Sequence, residues 1–407
     1  MYLIGDIPRK WAKLRANEEC MVCYCHDLTR FTWKKFNERI NKLANGLINL
    51  GIKKGEHIAI LMENNHEYIE LYYATAKTGI IAVPLNYRLT PKNLIHVINH
   101  SDSICLIFEP KYKEQVNKIK ADLKNVRLII STLERVDNFE FYEDIIDKNS
   151  SEEPKVDINE DDLVYIFYTG GTTGFPKGVM LSHRSLLTWV MDTIILSTQD
   201  PSLKVWAGDT TLFILPAFHI SIWPVFVFHY IGAKVIMSNK AVDIGFSLDI
   251  ISKEKVTHMN AVPTIYYFLL NFPGIEKFDL SNIKWFSYAG APFPTEQLKK
   301  CLEIIGSKFT NGLGATEGGP WAALLSHEHK VEGPEANLLK SVGTETMLCE
   351  VKILDENGDE VEEGEIGEVV VKTKATMLGY WKNFEKNNEI MKAVAQACAG
   401  ENLLLNW

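Results

Sequence analysis

Between Thr32 and Phe108 the hydrophobic pattern switches repeatedly between a helical stripe and a short unbroken apolar run, and few architectures accommodate that alternation. Trp33, Phe36, Ile40, Leu43, Leu47 and Leu50 recur at steps of three and four, one face of a helix, with Thr32 placed to cap its start and Gly51 to close its end. There follow an apolar run (57–62), a helical pattern (66–77), a second run (80–85), a Thr90-Pro91 helix start and a third run (104–108). Strand and helix in turn predict an α/β fold with layered elements over a largely parallel sheet.

A chain of 407 residues has room for two or three domains. Its 46% apolar and 23% charged residues are those of a globular protein, which excludes a mainly disordered or collagen-like chain. Seven irregularly spaced cysteines are too few for a disulfide scaffold and point to reduced thiols and a cytoplasmic setting. The net charge of −9, with no long Lys/Arg block, argues against nucleic acid as a partner. The first residues show no basic stretch leading into an apolar run, so no secretory signal is expected. From Thr210 to Ala233 no Asp, Glu, Lys or Arg occurs, but Pro216, His219, Pro224 and His229 interrupt the stretch. A buried strand, a loop and a buried apolar segment are expected there, with no transmembrane span.

The residues richest in chemistry follow an exposed, polar connection at 147–162. An apolar run leads into Thr169, Gly170, Gly171, Thr172, Thr173 and Gly174, then Phe175-Pro176-Lys177. Glycines let backbone N–H groups turn toward an anion, threonines add hydroxyl donors and Lys177 adds a full charge, so the segment suits a polyphosphate. A Gly-rich surface turn is the plainer alternative. The loop is not of the Walker A type, in which Gly-Lys precedes Ser or Thr, because Gly178 follows Lys177. Cys20, Cys23, Cys25 and His26 have no second ligand pair at finger-like spacing and read as part of a short strand rather than a zinc site. Residues 350–373 alternate β-type runs with Glu-Asn-Gly and Glu-Gly-Glu turns and predict antiparallel hairpins.

The run from Tyr168 to His183 resembles the signature of the adenylate-forming superfamily of acyl-CoA synthetases, peptide-synthetase adenylation domains and luciferases. Three further stretches resemble family motifs in the expected order: 215–221 (LPAFHIS), 288–294 (YAGAPFP) and 311–319 (NGLGATEGG). The stretches 363–372 and 377–383 continue the likeness. The resemblance implies two layered αβ subdomains, at 1–160 and 161–325, a small β-barrel-like subdomain at 326–392 and an atypical tail at 393–407. It implies that ATP and a carboxylic acid form an acyl-adenylate and pyrophosphate, and that the acyl group then passes to the thiol of coenzyme A.

By the same resemblance, the loop from Thr169 to Lys177 holds the leaving phosphates, Thr316 contacts the α-phosphate and Glu317 holds Mg²⁺. Gly290, Ala291 and Pro292, with Asn311, Gly312, Leu313 and Gly314, line the nucleotide pocket; Gly290 and Gly314 also border the acyl group. Leu313 stands where the family often has an aromatic that stacks on adenine, and Gly170 where many relatives have Ser. His219 resembles the histidine that orients the acyl group, although a histidine in an apolar segment is also a common core residue. Ser221 and Trp223 join it as candidate substrate contacts, and Trp223, Phe226, Phe228 and the Tyr266-Tyr267-Phe268 cluster offer the lining of an apolar tunnel, although aromatic stripes are more often simple core. Amino-acid-activating relatives often carry Asp at the His219 position, so the acid is expected to be fatty or aromatic, with an amino-acid adenylation module as a rival reading.

The family pattern continues past Asn383 with a Gly-Trp and a Thr-Gly-Asp, then a lid domain bearing a catalytic lysine, and this sequence shows neither motif. The chain therefore reads as the N-terminal portion of a fatty-acid or aryl-acid CoA ligase without its C-terminal lid, impaired by truncation, with a catalytically silent nucleotide- or acyl-binding remnant as the alternative. The run after Lys392 resembles no family motif and reads as a shifted frame or an imposed end.

Overall fold

The computed structural model describes residues 2–170, 176–200, 203–397 and 403–406. The chain forms two compact units that interleave along the sequence: Met1–Leu187 with Pro216–Ile222 and Met377–Lys382, and Thr188–Leu215 with Trp223–Thr376 and Asn383–Trp407.

In the first unit, β1 (Glu19–Cys23) and β2 (Thr29–Thr32) form an antiparallel hairpin. The main sheet contains β3 (His57–Leu61), β4 (Ile81–Pro84), β5 (Ser103–Phe108), β6 (Leu128–Ser131), β7 (Glu140–Phe141), β8 (Leu163–Thr169) and β9 (Lys177–Ser182). Its order is Gly379–Tyr380, β9, β8, β4, β3, β5, β6, β7. From β8 to β7 every neighbour is parallel, while β9 and the Gly379–Tyr380 strand add antiparallel pairs at one edge.

Local signals set the helices between these strands. Thr32 Oγ1 accepts from Lys35 N at 3.4 Å to start helix Trp33–Asn49, and Gly51 adopts φ +81° just beyond it, where an L side chain would be strained. Asn65 Oδ1 caps helix His66–Thr78 through Tyr68 N at 2.9 Å, and Thr90 precedes helix Pro91–His100, with proline in its first turn. Leu61, Val83, Leu106, Phe108 and Ile166 bring the strands into one core.

The second unit contains β10 (Thr210–Phe213), β11 (Lys234–Met237), β12 (His258–Ala261), β13 (Trp285–Ala289), β14 (Phe309–Ala315), β15 (Gly319–Leu324) and β16 (Thr344–Glu345). Their order is β16, β15, β14, β13, β12, β10, β11; the pairs from β11 to β14 are parallel and those from β14 to β16 antiparallel. A separate antiparallel pair, β17 (Cys349–Leu354) and β18 (Glu368–Thr373), occupies the stretch whose turns predict hairpins. In the tail, helix Phe384–Ala397 is followed by Leu403–Asn406, which pairs with β18.

The long uncharged stretch resolves into β10, a loop and helix Trp223–Tyr230, whose residues 224–229 are buried. Among the described residues no helix is long and apolar enough to cross a membrane.

Candidate functional site: a hairpin in one unit and converging strand ends in the other

In the first unit the glycine- and threonine-rich segment joins two antiparallel strands. Thr169 and Lys177 are cross-strand partners at the mouth of the hairpin, so the loop between them is closed at its base by sheet pairing. Gly170 is exposed, with open space where a Cβ would stand. Gly171, Thr172, Thr173 and Gly174 lie outside the described residues. Lys177 Nζ is 5.5 Å from the centroid of the Tyr380 ring, within cation–π range. Tyr380 reaches it because the 377–382 segment anneals to β9: Gly379 pairs with Met180, and Trp381 N donates to Gly178 O at 2.7 Å. Trp381 Nε1 also donates to His100 O at 2.9 Å, and Lys382 pairs with Asp102 at 2.6 Å. The stretch that resembles a family motif thus acts as a brace for the loop-bearing hairpin.

His219 and Ser221 also belong to the first unit. Their segment is tied down by Ala217, whose N–H donates to Asn64 Oδ1 and whose carbonyl accepts from Tyr72 OH, both at 2.8 Å. Ser221 N donates to His219 Nδ1 at 3.2 Å, and Ser221 Oγ donates to Pro216 O at 3.2 Å. The side chain of His219 is exposed, and the crowding of its segment draws its pKa down from the ordinary value.

In the second unit, the other candidate residues gather at the C-terminal ends of adjacent strands. Ala289 pairs with Gly312 across β13 and β14, so Gly290, Ala291 and Pro292 emerge beside Leu313 and Gly314. Gly290 adopts φ +76°, a conformation that excludes most side chains, and all three residues are exposed. Gly314 sits at a register shift in the β14–β15 pair, where a Cβ would collide with Gly319 O and the Pro320 backbone. Leu313 packs with Trp321, Cys349 and Val371. Asn311 Nδ2 donates to Ser341 O at 3.5 Å.

Thr316 and Glu317 occupy the turn between β14 and β15, both buried. As an isolated pair they also suit a helix start, but β15 follows directly and no helix forms there. Beneath the turn lies Trp189, fully buried on helix His183–Ser197, with Nε1 donating to Ala375 O at 2.8 Å. Gly319, at φ +81°, rests against this indole.

A cavity of about 70 Å³ opens within the same unit. Trp223 and Gly312 line it, together with Leu196, Leu203, Phe228 and Trp285, and a Cβ on Gly312 would meet nothing within 4 Å. The aromatic cluster 266–268 does not line it; the Tyr266 hydroxyl is engaged by Met259 O and Ser287 O, and Phe268 is exposed. Phe226 is likewise buried elsewhere. Trp189 belongs to no motif, and its one signal in the sequence is a large aromatic close behind the glycine-rich segment. Asn260, Ser287 and Thr310, polar residues within strands β12 to β14, likewise belong to no motif.

Residues 8–381 match the AMP-binding enzyme family. Feruloyl-CoA synthase from Amycolatopsis sp is 30% identical over 391 residues, covering 96% of this chain and 74% of that protein. The long-chain-fatty-acid–CoA ligase FadD13 of Mycobacterium tuberculosis is 28% identical over 360 residues, covering 88% and 68%. Among solved structures, the inhibitor-bound N-terminal domain of FACL13 from Mycobacterium tuberculosis superposes with a TM-score of 0.84 at 28% identity, covering 96% of this chain and 94% of that one. With its fold, motifs and relatives in agreement, the chain belongs to the AMP-binding enzyme family, among the AMP-forming acyl-CoA ligases.

Proposed function

We propose that this chain supplies the adenylating part of an acid–CoA ligase acting on an apolar carboxylic acid, fatty or aromatic. ATP and the acid give acyl-adenylate and pyrophosphate, and coenzyme A then takes the acyl group as a thioester. The observation that carries the reading is the convergence, within one unit, of Gly290, Gly312 and the Thr316–Glu317 turn at neighbouring strand ends above an apolar cavity. Ligands of open α/β sheets bind at the carboxyl ends of the strands, and small residues there allow a nucleotide close to the backbone.

The chemistry assigns the roles. An anionic carboxylate must approach an anionic α-phosphate, so the site has to neutralise charge and align the two groups. The hairpin between Thr169 and Lys177 takes the departing phosphates, with Lys177 as their cation. Thr316 donates to the α-phosphate. Gly290, Ala291, Pro292, Asn311, Leu313 and Gly314 surround the nucleotide, with Gly290 and Gly314 also bordering the acyl group; Gly312, which the resemblance puts in the nucleotide pocket, lines the cavity with Trp223, and in this reading both bound the acyl group. His219, whose Nδ1 accepts from Ser221 N, is the residue assigned to orient the acid.

Glu317 is the residue that would hold Mg²⁺. A single buried carboxylate fits this ion, which is usually held by one or two carboxylates and completes its shell with phosphates and water. Bound there, the ion would offset phosphate charge.

Carboxylate-dependent ATP–pyrophosphate exchange, run with Mg²⁺ over short, long and aromatic acids, tests the reading. Exchange with apolar acids is the expected result, and exchange restricted to amino acids would overturn it.

A further inference from the structure

Three polar side chains in the second unit stand in a row on the wall of the cavity. Asn260 on β12 is in register with Ser287 on β13, and Ser287 with Thr310 on β14. Residues in register on neighbouring parallel strands project to the same face, about 4.8 Å apart, and all three line the cavity. Thr193 Oγ1 and Ser197 Oγ, also on the wall, have partners in the protein, donating to Trp189 O at 2.9 Å and Ile194 O at 2.7 Å, and Asn311 Nδ2 makes one long bond of 3.5 Å to Ser341 O. Among the described residues, the Asn260 amide and the Ser287 and Thr310 hydroxyls have no hydrogen-bond partner in the protein. Their polar atoms are not sealed from water; a ligand that enters the cavity shields them from it, and one that pairs with them is favoured over one that leaves them unpaired.

We propose that the acid carries a neutral hydrogen-bonding oxygen, a hydroxyl above all, at the depth of the Asn260–Ser287–Thr310 row. The proposal rests on the acid-ligase reading and narrows its substrate class from plain hydrocarbon acids to oxygenated ones. A hydroxyl both donates and accepts, as do the three groups facing it. No Asp, Glu, Lys or Arg lines the cavity among the described residues, so nothing there would pair with an ammonium or a second carboxylate. The position of the oxygen follows from the strands. Ala289 and Gly312 lie two residues beyond Ser287 and Thr310, toward the strand ends where the carboxylate reacts. Two residues of strand span roughly 6.6 Å, so the oxygen stands about that far from the carboxyl group. Leu196, Trp223 and Trp285 around the row leave the body of the acid apolar.

The test compares matched ligands on the whole chain. Acyl-sulfamoyl-adenosines, stable mimics of the acyl-adenylate, are prepared from hexanoate and 6-hydroxyhexanoate and from benzoate and 4-hydroxybenzoate, and their dissociation constants are measured by titration calorimetry. The hydroxylated member of at least one pair is expected to bind about tenfold more tightly, the scale of one hydrogen bond to an otherwise unpaired group. Ser287→Ala combined with Thr310→Val should bring that ratio close to one. Equal affinity within both pairs, or preference for the unsubstituted members, overturns the proposal while leaving the ligase reading intact, with the row holding water alone. Failure of all four compounds to bind overturns the ligase reading and the proposal with it. The comparison on the unaltered protein stands whether or not the double variant folds.

Discussion

The indole of Trp189 fills the space directly beneath Gly319, so that a Cβ at position 319 would overlap the ring. Gly319 opens β15 just after the Thr316–Glu317 turn, and Trp189 is itself fixed through Ala375 O. Position 319 therefore sets the height of the turn through packing, without touching a ligand. Gly319→Ala should cost about 2 kcal/mol or more, combining a left-handed backbone with an overpacked core. Urea denaturation measures that loss. In the double variant Gly319→Ala/Trp189→Ala, part of it should return, because the two residues share one space.

Lys177 and Tyr380 are a second coupled pair. Lys177→Ala should lower adenylation by about 10²-fold, as expected when a preorganised charge near a leaving group is removed. Tyr380→Leu removes the ring over the ammonium while keeping an apolar side chain, and should raise the KM for ATP by about two- to fivefold. Pyrophosphate exchange at varied ATP separates the two effects, and an equal loss in both variants would contradict the assignment of Lys177 to the phosphates.

Gly312 faces the cavity with open space beyond its Cα. Gly312→Val should therefore fill the cavity and raise the KM for the acid at least about tenfold, while the KM for ATP changes little. Trp223→Ala enlarges the same cavity and should shift preference toward bulkier acids. Competition among acids of graded size reads both outcomes.

Stability against pH should carry the imprint of Glu70. This fully buried carboxylate on helix His66–Thr78 accepts from Arg39 Nε and Tyr142 OH, each at 2.8 Å, and meets His66 Nδ1 at 3.1 Å. Burial alone would raise its pKa, but Arg39 and then His66 outweigh that and hold it at about 2, below the ordinary 4.5. Its contribution is complete above pH 4.5 and is lost as pH falls through about 2. For His66, burial pulls the pKa down while Glu70 and Glu67 raise it to about 9 from 6.5, so its contribution is complete below pH 6.5 and is lost as pH rises through about 9. Glu67, raised by burial, works against stability once ionised. Urea midpoints across the pH range should show both limbs. His66→Gln should flatten the alkaline one, and Glu70→Gln should destabilise the protein by about 3 kcal/mol because Arg39 then loses a buried partner.

The alternation from Thr32 to Phe108 made the parallel sheet of the first unit legible, since each helix there begins at a capping residue and each strand is a short apolar run. The glycine motifs were equally legible, because φ +76° at Gly290 and the close strand approach at Gly314 demand glycine locally. What sequence order hid is assembly over distance. A linear partition cannot show that 216–222 and 377–382 fold with the first unit, since that depends on pairs such as Ala217 with Asn64 and Gly379 with Met180. The row of Asn260, Ser287 and Thr310 was illegible for the same reason: three isolated polar residues acquire a shared meaning only once register sets them side by side.

Because Gly379–Tyr380 closes the edge of β9, strands roughly two hundred residues apart must meet before the first unit is complete. On the ribosome, which releases the chain from its N-terminus onward, β9 emerges long before its outer neighbour. Throughout that interval the hairpin bearing Lys177 presents an unpaired strand edge, the feature most prone to wrong pairing in a nascent chain. Translation that halts before Tyr380 would leave that edge permanently open, a substrate for chaperones and proteases in place of a finished sheet.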